Sequence, residues 1–310
     1  MDRQQFSGKV IAHAPAKINL VLEIEPLSAG EEKHRLNSVF CTTTLFDTLV
    51  FDFKSGNEPF NAHVEIEGVD FDASFIREHD NTLTKTVEHF KRVYGIGFLP
   101  SGTLQVQLVK SIPTQAGLGG GSSDGAALLR MLCWLAQVEP LSEKSLSVAR
   151  AVGADVPFFL HAPKGGFCAY MGGYGDELVA ELPRPQLHLT LVKPPLGVST
   201  KNAYALFDRM SALSQTPSGA STKLALALKE GKSPQEIAAL CTNNLEPAAL
   251  ELLGDIAPIK EELSQLPGVL GVTLCGSGSA LFAICESPAA AQVCMQHFAN
   301  KGLWSVAIST

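Results

Sequence analysis

Polar and apolar residues alternate from Thr103 to Lys110 (TLQVQLVK), the period of a strand with one buried face. Gly8 to Glu25 reads as an earlier strand, in which Pro15 predicts a bend or bulge and Lys17 and Asn19 share a face. Ser38 to Phe53 and Ala62 to Ile66 are strand-like as well. Apolar residues recur at helical spacing from Thr82 to Val93 after an Asp80-Asn81 start signal, over residues 122–137, and from Ser142 to Val152. Pro163-Lys-Gly-Gly166 marks a boundary, followed by strands at Gly166 to Met171 and Leu187 to Val192. Helical stretches follow at 201–213, 222–229, 234–241, 246–253 and 256–265. The chain closes with two apolar strands around a glycine turn (LGVTLCGSGSALFAIC), a helix at 288–299 and a strand at Trp304 to Ile308, an order that suits an open-faced sandwich. The fold class is α+β, with domains expected at 1–165 and 166–310. Pro183-Arg-Pro185 and Thr216-Pro-Ser-Gly219 read as surface turns.

Composition narrows the function. The chain has 310 residues, 45% of them hydrophobic, enough for a sizeable core. Its 24 basic and 31 acidic residues give a net charge of -7, without the footprint expected of a protein that binds nucleic acid or an anionic membrane. Any anionic ligand must therefore be held locally. The cysteines at 41, 133, 168, 241, 275, 285 and 294 stand singly in apolar segments and read as reduced core residues. The N-terminal residues lack the apolar run of a signal peptide, and no stretch approaches the ~20 apolar residues of a membrane span. The expectation is a cytoplasmic protein, monomer or homodimer, with a small-molecule substrate.

The segment that meets that requirement is Ile112 to Ala127 (IPTQAGLGGGSSDGAA). Gly117, Gly119, Gly120 and Gly121 let backbone N–H groups approach an anion, and the following helix offers the positive end of its dipole. A nucleoside triphosphate is the natural ligand. The Walker pattern fails for want of Gly-Lys-Ser/Thr, and Ser122 occupies the third glycine position of the dinucleotide fingerprint. A glycine turn before a helix capped by Ser122 or Ser123 is the plainer alternative.

Four other places are candidates. Asp155, alone in Gly153-Ala-Asp-Val-Pro-Phe-Phe159, is either a base or electrostatic partner for an attacking hydroxyl, or the cap of a turn. Lys17 either reaches solvent from its strand or holds Asp155 ionised and neutralises a moving phosphoryl group. The turn Leu274-Cys-Gly276-Ser-Gly278-Ser279 is a hairpin or a second wall of a phosphate site, and Gly172 to Glu177 is a mobile turn or a site wall.

Taken together and in order, Pro15-Ala-Lys-Ile-Asn-Leu20, GLGGGSSDGAA, Gly153-Ala-Asp-Val-Pro-Phe and CGSGSA resemble the GHMP kinases, the superfamily of galactokinase, homoserine kinase and mevalonate kinase. The GGGSSD form, Asn81-Thr-Leu83, and Val198-Ser-Thr200 followed by Ala203-Tyr204 point to a branch of that superfamily. Its members phosphorylate the 2-hydroxyl of a cytidine diphosphate-linked polyol in non-mevalonate isoprenoid biosynthesis. The resemblance implies a two-domain fold with a left-handed βαβ unit in the N-terminal lobe, opposite to the general connection rule, and a ferredoxin-like C-terminal open sandwich. It also implies ATP in the glycine loop of one lobe, the acceptor in a cleft between lobes, and Mg2+ with ligands not legible in the sequence.

The same resemblance assigns residues. Asp155 and Lys17 are catalytic, while Pro113, Gly117, Leu118, Gly119, Gly120, Gly121, Ser122, Ser123 and Asp124 wrap the ATP phosphates. Asn81, Leu83 and Lys110 lie near the adenine. Asn19, Lys33, His34, Thr200, Tyr204, Gly276 and Ser277 face the acceptor, with Tyr204 placed to stack on a base. The chain departs from the family at Lys33, where the usual residue before the histidine is tyrosine; a lysine stem covers a ring without stacking on it. A different acceptor, a decarboxylase, or a non-catalytic nucleotide sensor are the alternatives this leaves.

Overall fold

A computed structural model of the protein describes residues 7–27, 30–68, 81–162, 166–211 and 219–310. Asp80, the boundary residues 163–165, residues 216–218 of the surface turn, and the last two residues expected of the 201–213 helix lie outside the described residues. The elements are β1 (Gly8–Ile24), β2 (Leu36–Ser55), β3 (Asn61–Gly68), α1 (Thr82–Tyr94), β4 (Gly102–Lys110), α2 (Gly120–Ala136), α3 (Glu143–Val152), α4 (Val156–His161), β5 (Cys168–Gly172), β6 (Glu177–Glu181), β7 (His188–Lys193), α5 (Thr200–Ser211), α6 (Ala220–Lys229), α7 (Pro234–Leu240), β8 (Thr242–Asn243), α8 (Glu246–Leu252), α9 (Ile256–Ser264), β9 (Val269–Leu274), β10 (Leu281–Cys285), α10 (Pro288–Ala299) and β11 (Trp304–Ser309). They fall into two compact units, one of Met1–Ala16, Leu45–Thr114 and Gly119–Pro163, the other of Lys17–Thr44, Gln115–Leu118 and Lys164–Thr310. The residues of β1 and β2 are divided between them.

In the first unit β3 runs parallel to β4 from Asn61 against Thr103 to Gly68 against Lys110, so α1 is the helix of a βαβ unit. The outer half of β2 pairs antiparallel with the other edge of β4. α1 buries Leu83, Thr86, Val87, Phe90 and Tyr94, one face at three- and four-residue spacing. Asn81 caps it by accepting the Thr84 amide at 2.7 Å. α2 is buried around most of its girth and packs against α1, α3 and α4. Arg130 on α2 donates to the carbonyls of Phe159 (3.1 Å), Leu160 (2.6 Å) and Ala162 (2.5 Å), satisfying the C-terminal carbonyls that a six-residue helix cannot pair itself.

The second unit holds an antiparallel four-stranded sheet in the order β11-β7-β10-β9, with α10 packed on β7 and β10 and α9 on β9 and β10. Its core joins Val192, Leu263, Leu274, Leu281, Ala283 and Phe298. The inner half of β2 pairs with β5, which pairs in turn with β6, and β8 adds a short parallel bridge to β1 at Val21 and Leu22. The α6 N-cap, Gly219, has no side chain to offer. Glu23 of β1 replaces it, accepting the Ala220 and Ser221 amides at 2.9 and 2.7 Å.

Several expectations change. β1 continues as a strand through Pro15. α2 begins at Gly120 with left-handed Gly119 as its N-cap, so Ser122 and Ser123 lie inside the first turn and cap nothing there. Residues 172–177 are the turn of the β5–β6 hairpin. The helix α4 was hidden by its shortness and by Pro157, which at the second helical position needs no hydrogen-bond partner. The seven cysteines are free, and Cys41 and Cys168, remote in sequence, are register partners on β2 and β5.

Replacement of Phe298, which is fully buried on α10, tests the core of the second unit. Phe298→Ala is expected to cost about 3–5 kcal/mol. Trp304 on β11 of the same sheet reports the transition by fluorescence. An unchanged urea midpoint would show that the ring carries no packing energy.

Candidate active site

Four glycines lack the side chains that hold an ordinary loop in place, so neighbours must hold this one. In the first unit the support is ionic. The Asp47 carboxylate, fully buried in β2, accepts the amides of Ser111 (2.5 Å) and Ile112 (2.8 Å) and pairs closely with the Lys110 ammonium. Lys110 also reaches Asp124, the fifth residue of α2, at 2.8 Å. Burial, opposed by Lys110 and reinforced by Asp47, pushes the Asp124 carboxyl up to about 7. Burial alone would lower the Lys110 ammonium, but the two carboxylates outweigh it and raise it.

The turn itself lies close upon these groups. A Cβ on Gly120 would stand 3.0 Å from the Ile112 side chain and 3.2 Å from Lys110 Nζ, and one on Gly121 would stand 3.2 Å from Thr82 Oγ1. Gly125 meets Thr82 and Thr86 in the same way, which brings the start of α1, and with it Asn81, against the first turn of α2. Leu83 is in the core and Pro113 is buried. Ser123 Oγ and Asp124 Oδ1 are buried and have no hydrogen-bond partner among the described residues. Such atoms are costly unless a ligand completes them.

Asp155 is the N-cap residue of α4, and its carboxylate makes no capping bond to that helix. Gly153, two residues earlier, comes within 3.6 Å of Ser122 Oγ measured from its Cβ position. The segment bearing Asp155 therefore runs beside the phosphate loop, and Arg130 holds the far end of α4.

In the second unit the remaining loop residues pack on the glycine turn after β9. A Cβ on Gly117, whose φ is +76°, would fall 1.8 Å from the Cys275 carbonyl oxygen. Ser279 and Ala280 donate backbone amides to Gln115 and Ala116, and Lys17 N donates to the Leu118 carbonyl at 2.9 Å. Gly276 approaches Asn19 Oδ1 at 3.4 Å from its Cβ position, and Asn243 donates to its carbonyl at 2.6 Å. The turn thus packs on residues 115–118 of the loop as well as joining β9 to β10. Lys17, 4% exposed, donates from Nζ to Asn19 Oδ1 at 2.7 Å and lies 4.5 Å from the Phe40 ring centroid. Asn19 donates in turn to Ser38 Oγ at 3.0 Å. Burial pushes the Cys275 thiol up to about 12, so it is no nucleophile.

One face of α5 gathers the remaining residues of this unit. Thr200 Oγ1 is 2.8 Å from Ser277 Oγ, on the glycine turn. One turn on, the Tyr204 ring lies 5.4 Å from His34, with Phe207 edge-on at 5.8 Å. Both His34 nitrogens face acceptors, Nδ1 the Glu25 carbonyl at 2.8 Å and Nε2 the Asp208 carboxylate at 3.0 Å. Lys33 is exposed. Asp47, Thr82 and Asp208 belong to these clusters without having been singled out in the sequence. Asp47 had a signal, a carboxylate between apolar residues of a strand, whereas Asp208 had only its helical spacing from Thr200 and Tyr204.

Gly117→Ala should abolish measurable ATP binding in calorimetry, because backbone blocks the methyl and φ opposes it. Gly231→Ala, at φ +68° with nothing within 4 Å, should cost stability of only about 1–2 kcal/mol and leave binding intact. Equal effects from both would mean that the loop contact is irrelevant.

Family models match in both parts of the chain, GHMP kinases N terminal domain over residues 81–162 and GHMP kinases C terminal over residues 224–302. The 4-diphosphocytidyl-2-C-methyl-D-erythritol kinase of Desulfitobacterium hafniense is 35% identical over 90% of this chain and 88% of its own. That of Carboxydothermus hydrogenoformans is 32% identical over 90% and 89%. A crystal structure of 4-(cytidine 5'-diphospho)-2C-methyl-D-erythritol kinase superposes with a TM-score of 0.71 at 29% identity, covering 97% of this chain and all of that one. Homoserine kinase from Cytophaga hutchinsonii shares the fold, with a TM-score of 0.69 at 19% identity over 97% and 94%. With both halves matched and relatives aligned over nearly their whole length, the chain belongs to the GHMP kinases, in the family of the 4-diphosphocytidyl-2-C-methyl-D-erythritol kinases.

Proposed function

We propose that the protein transfers the γ-phosphoryl group of ATP to the 2-hydroxyl of 4-diphosphocytidyl-2-C-methyl-D-erythritol, giving the 2-phosphate and ADP. The observation that carries the reading is the approach of the Asp155 segment to the phosphate loop through Gly153 and Ser122. Phosphoryl transfer asks mainly for positioning and charge neutralisation, and that approach supplies a carboxylate beside a cradle of amides. The acceptor follows from the family's relatives.

In this reading Asp155 orients the acceptor hydroxyl and takes its proton as the new P–O bond forms and the bond to ADP breaks. Lys17 neutralises charge on the group in transfer, and Asn19 holds the lysine by its hydrogen bond. Gly117 to Ser122 present backbone amides to the phosphates, with the Ser123 hydroxyl beyond them and Asn81, Leu83 and Lys110 on the adenine side. Hard cations take oxygen ligands, and Ser123 Oγ and Asp124 Oδ1 are such oxygens, so these two residues would hold Mg2+. Among the described residues no group of three or more His, Cys, Asp or Glu is placed to bind a metal, which suits an ion held largely by phosphate and water. When bound, Mg2+ offsets charge on the phosphate oxygens.

On the acceptor side Thr200, Gly276 and Ser277 meet the polar middle of the substrate, and His34 and Tyr204 take the cytosine. The Tyr204 ring provides the stacking surface that Lys33 cannot. Among the described residues no helix is long and apolar enough to cross a membrane.

Purified protein with ATP, Mg2+ and the cytidyl substrate should form ADP and the 2-phosphate, followed by phosphorus NMR. Turnover only with another acceptor would refute the assigned substrate, and ATP binding without turnover would refute the kinase reading. Asp155→Asn should lower kcat about 10²–10⁴-fold while ATP affinity is kept. An unchanged kcat would remove Asp155 from the mechanism. Tyr204→Ala should raise the acceptor KM roughly 5- to 150-fold, the loss of about 1–3 kcal/mol of stacking, with the ATP KM unmoved. A KM change in ATP alone would place the ring elsewhere.

A further inference from the structure

We infer that Asp47 is a positioning residue for phosphoryl transfer, tying both ends of the glycine loop through Lys110, Asp124 and two backbone amides. The inference rests on the reading that this loop holds ATP.

Asp47 is a carboxylate with no exposure to solvent, a placement that costs several kcal/mol unless donors surround it. The donors it has found are not scattered through the fold. They are the last side chain of β4 and the first two amides beyond it, Lys110, Ser111 and Ile112. Asp47 therefore fixes the point at which the chain leaves the strand and enters the loop. The same ammonium binds Asp124, where the chain enters α2, so one ionic chain spans from the start of the loop to its end. Gly120 rests on that chain, where a Cβ would stand only 3.2 Å from Lys110 Nζ and crowd it.

The consequence for binding is preorganisation. Amides that must converge on a phosphate lose conformational entropy on binding unless something has ordered them first. Glycines make that loss largest, because they have the most freedom to lose. Asp47 touches no phosphate in this account; it removes the freedom in advance.

Steady-state kinetics of Asp47→Asn test this, since the amide keeps the shape but presents donors toward groups that are themselves donors. The ATP KM should rise tenfold or more and kcat fall, with the acceptor KM within twofold. Lys110→Arg, which keeps the charge and offers a fork to two carboxylates, should retain an ATP KM nearer to that of the parent than Lys110→Met. A folded Asp47→Asn with a lower melting temperature but unaltered kinetic constants would overturn the inference and leave a purely structural role. Should that variant not fold, hydrogen exchange of the unaltered protein decides. The Ser111 and Ile112 amides should be protected without nucleotide, and exchange as fast as exposed loop amides would sink the idea. Failure of the unaltered protein to bind ATP would instead refute the reading of the loop.

Discussion

A loop built largely of glycine gives up the side chains that would hold it, and much of this molecule answers that deficit. In the first unit the answer is charge: a buried ammonium between two buried carboxylates, one of which also takes two amides. In the second it is backbone packed on backbone, where Gly117 meets Cys275 with no room for a methyl group and Gln115 and Ala116 accept amides from the facing turn. The ionic support is expensive to bury and is justified only when each carboxylate oxygen finds a donor. Asp47 meets that condition. Asp124 leaves one oxygen unpaired, and the hydroxyl of the preceding residue, Ser123, is unpaired as well among the described residues.

Net charge explains why the support takes this form. With a surplus of seven negative charges the protein has no general field to attract an anion. Attraction must come from dipoles and single cations at short range. Lys17 and Lys110, both almost fully buried, are the cations committed to these clusters. Lys110 is spent on the loop's own carboxylates, so the amides and the α2 dipole carry more of the task of meeting phosphate.

Much of this was legible in the chain. Period-two and period-3.6 patterns located most strands and helices, because burial on one face is a local property written at fixed spacing. The glycine loop, Asp155 and Lys17 were visible for a related reason, being residues out of character with their apolar surroundings. What escaped depended on long-range geometry. The six-residue α4 shows too little of the helical period, and β8 is two residues joined to β1 by register alone. The start of α2 was placed late because serines suggest a cap, whereas left-handed Gly119 turned the chain two residues sooner. Asp47 belonged to a strand correctly drawn; nothing local marks Lys110 and two amides as its partners across the β2–β4 pairing.

The departure at Lys33 bears on how the acceptor is gripped. A tyrosine before His34 would put base recognition on the connection between β1 and β2, in a loop. Here the ring against His34 comes from α5, as does the carboxylate at Nε2. Helix geometry then sets a distance. Thr200 meets the glycine turn at Ser277 and Tyr204 meets the imidazole four residues later, about 6 Å along the axis at 1.5 Å per residue. A rigid element thus spaces a polar contact from an aromatic one, as a ligand with a charged middle and a base at one end requires. Loops adapt to many ligands, and helices hold one spacing. On the proposed function, selectivity for the base survives the loss of the loop aromatic, because the helix that would offer its ring to the base also fixes the distance from that ring to the glycine turn.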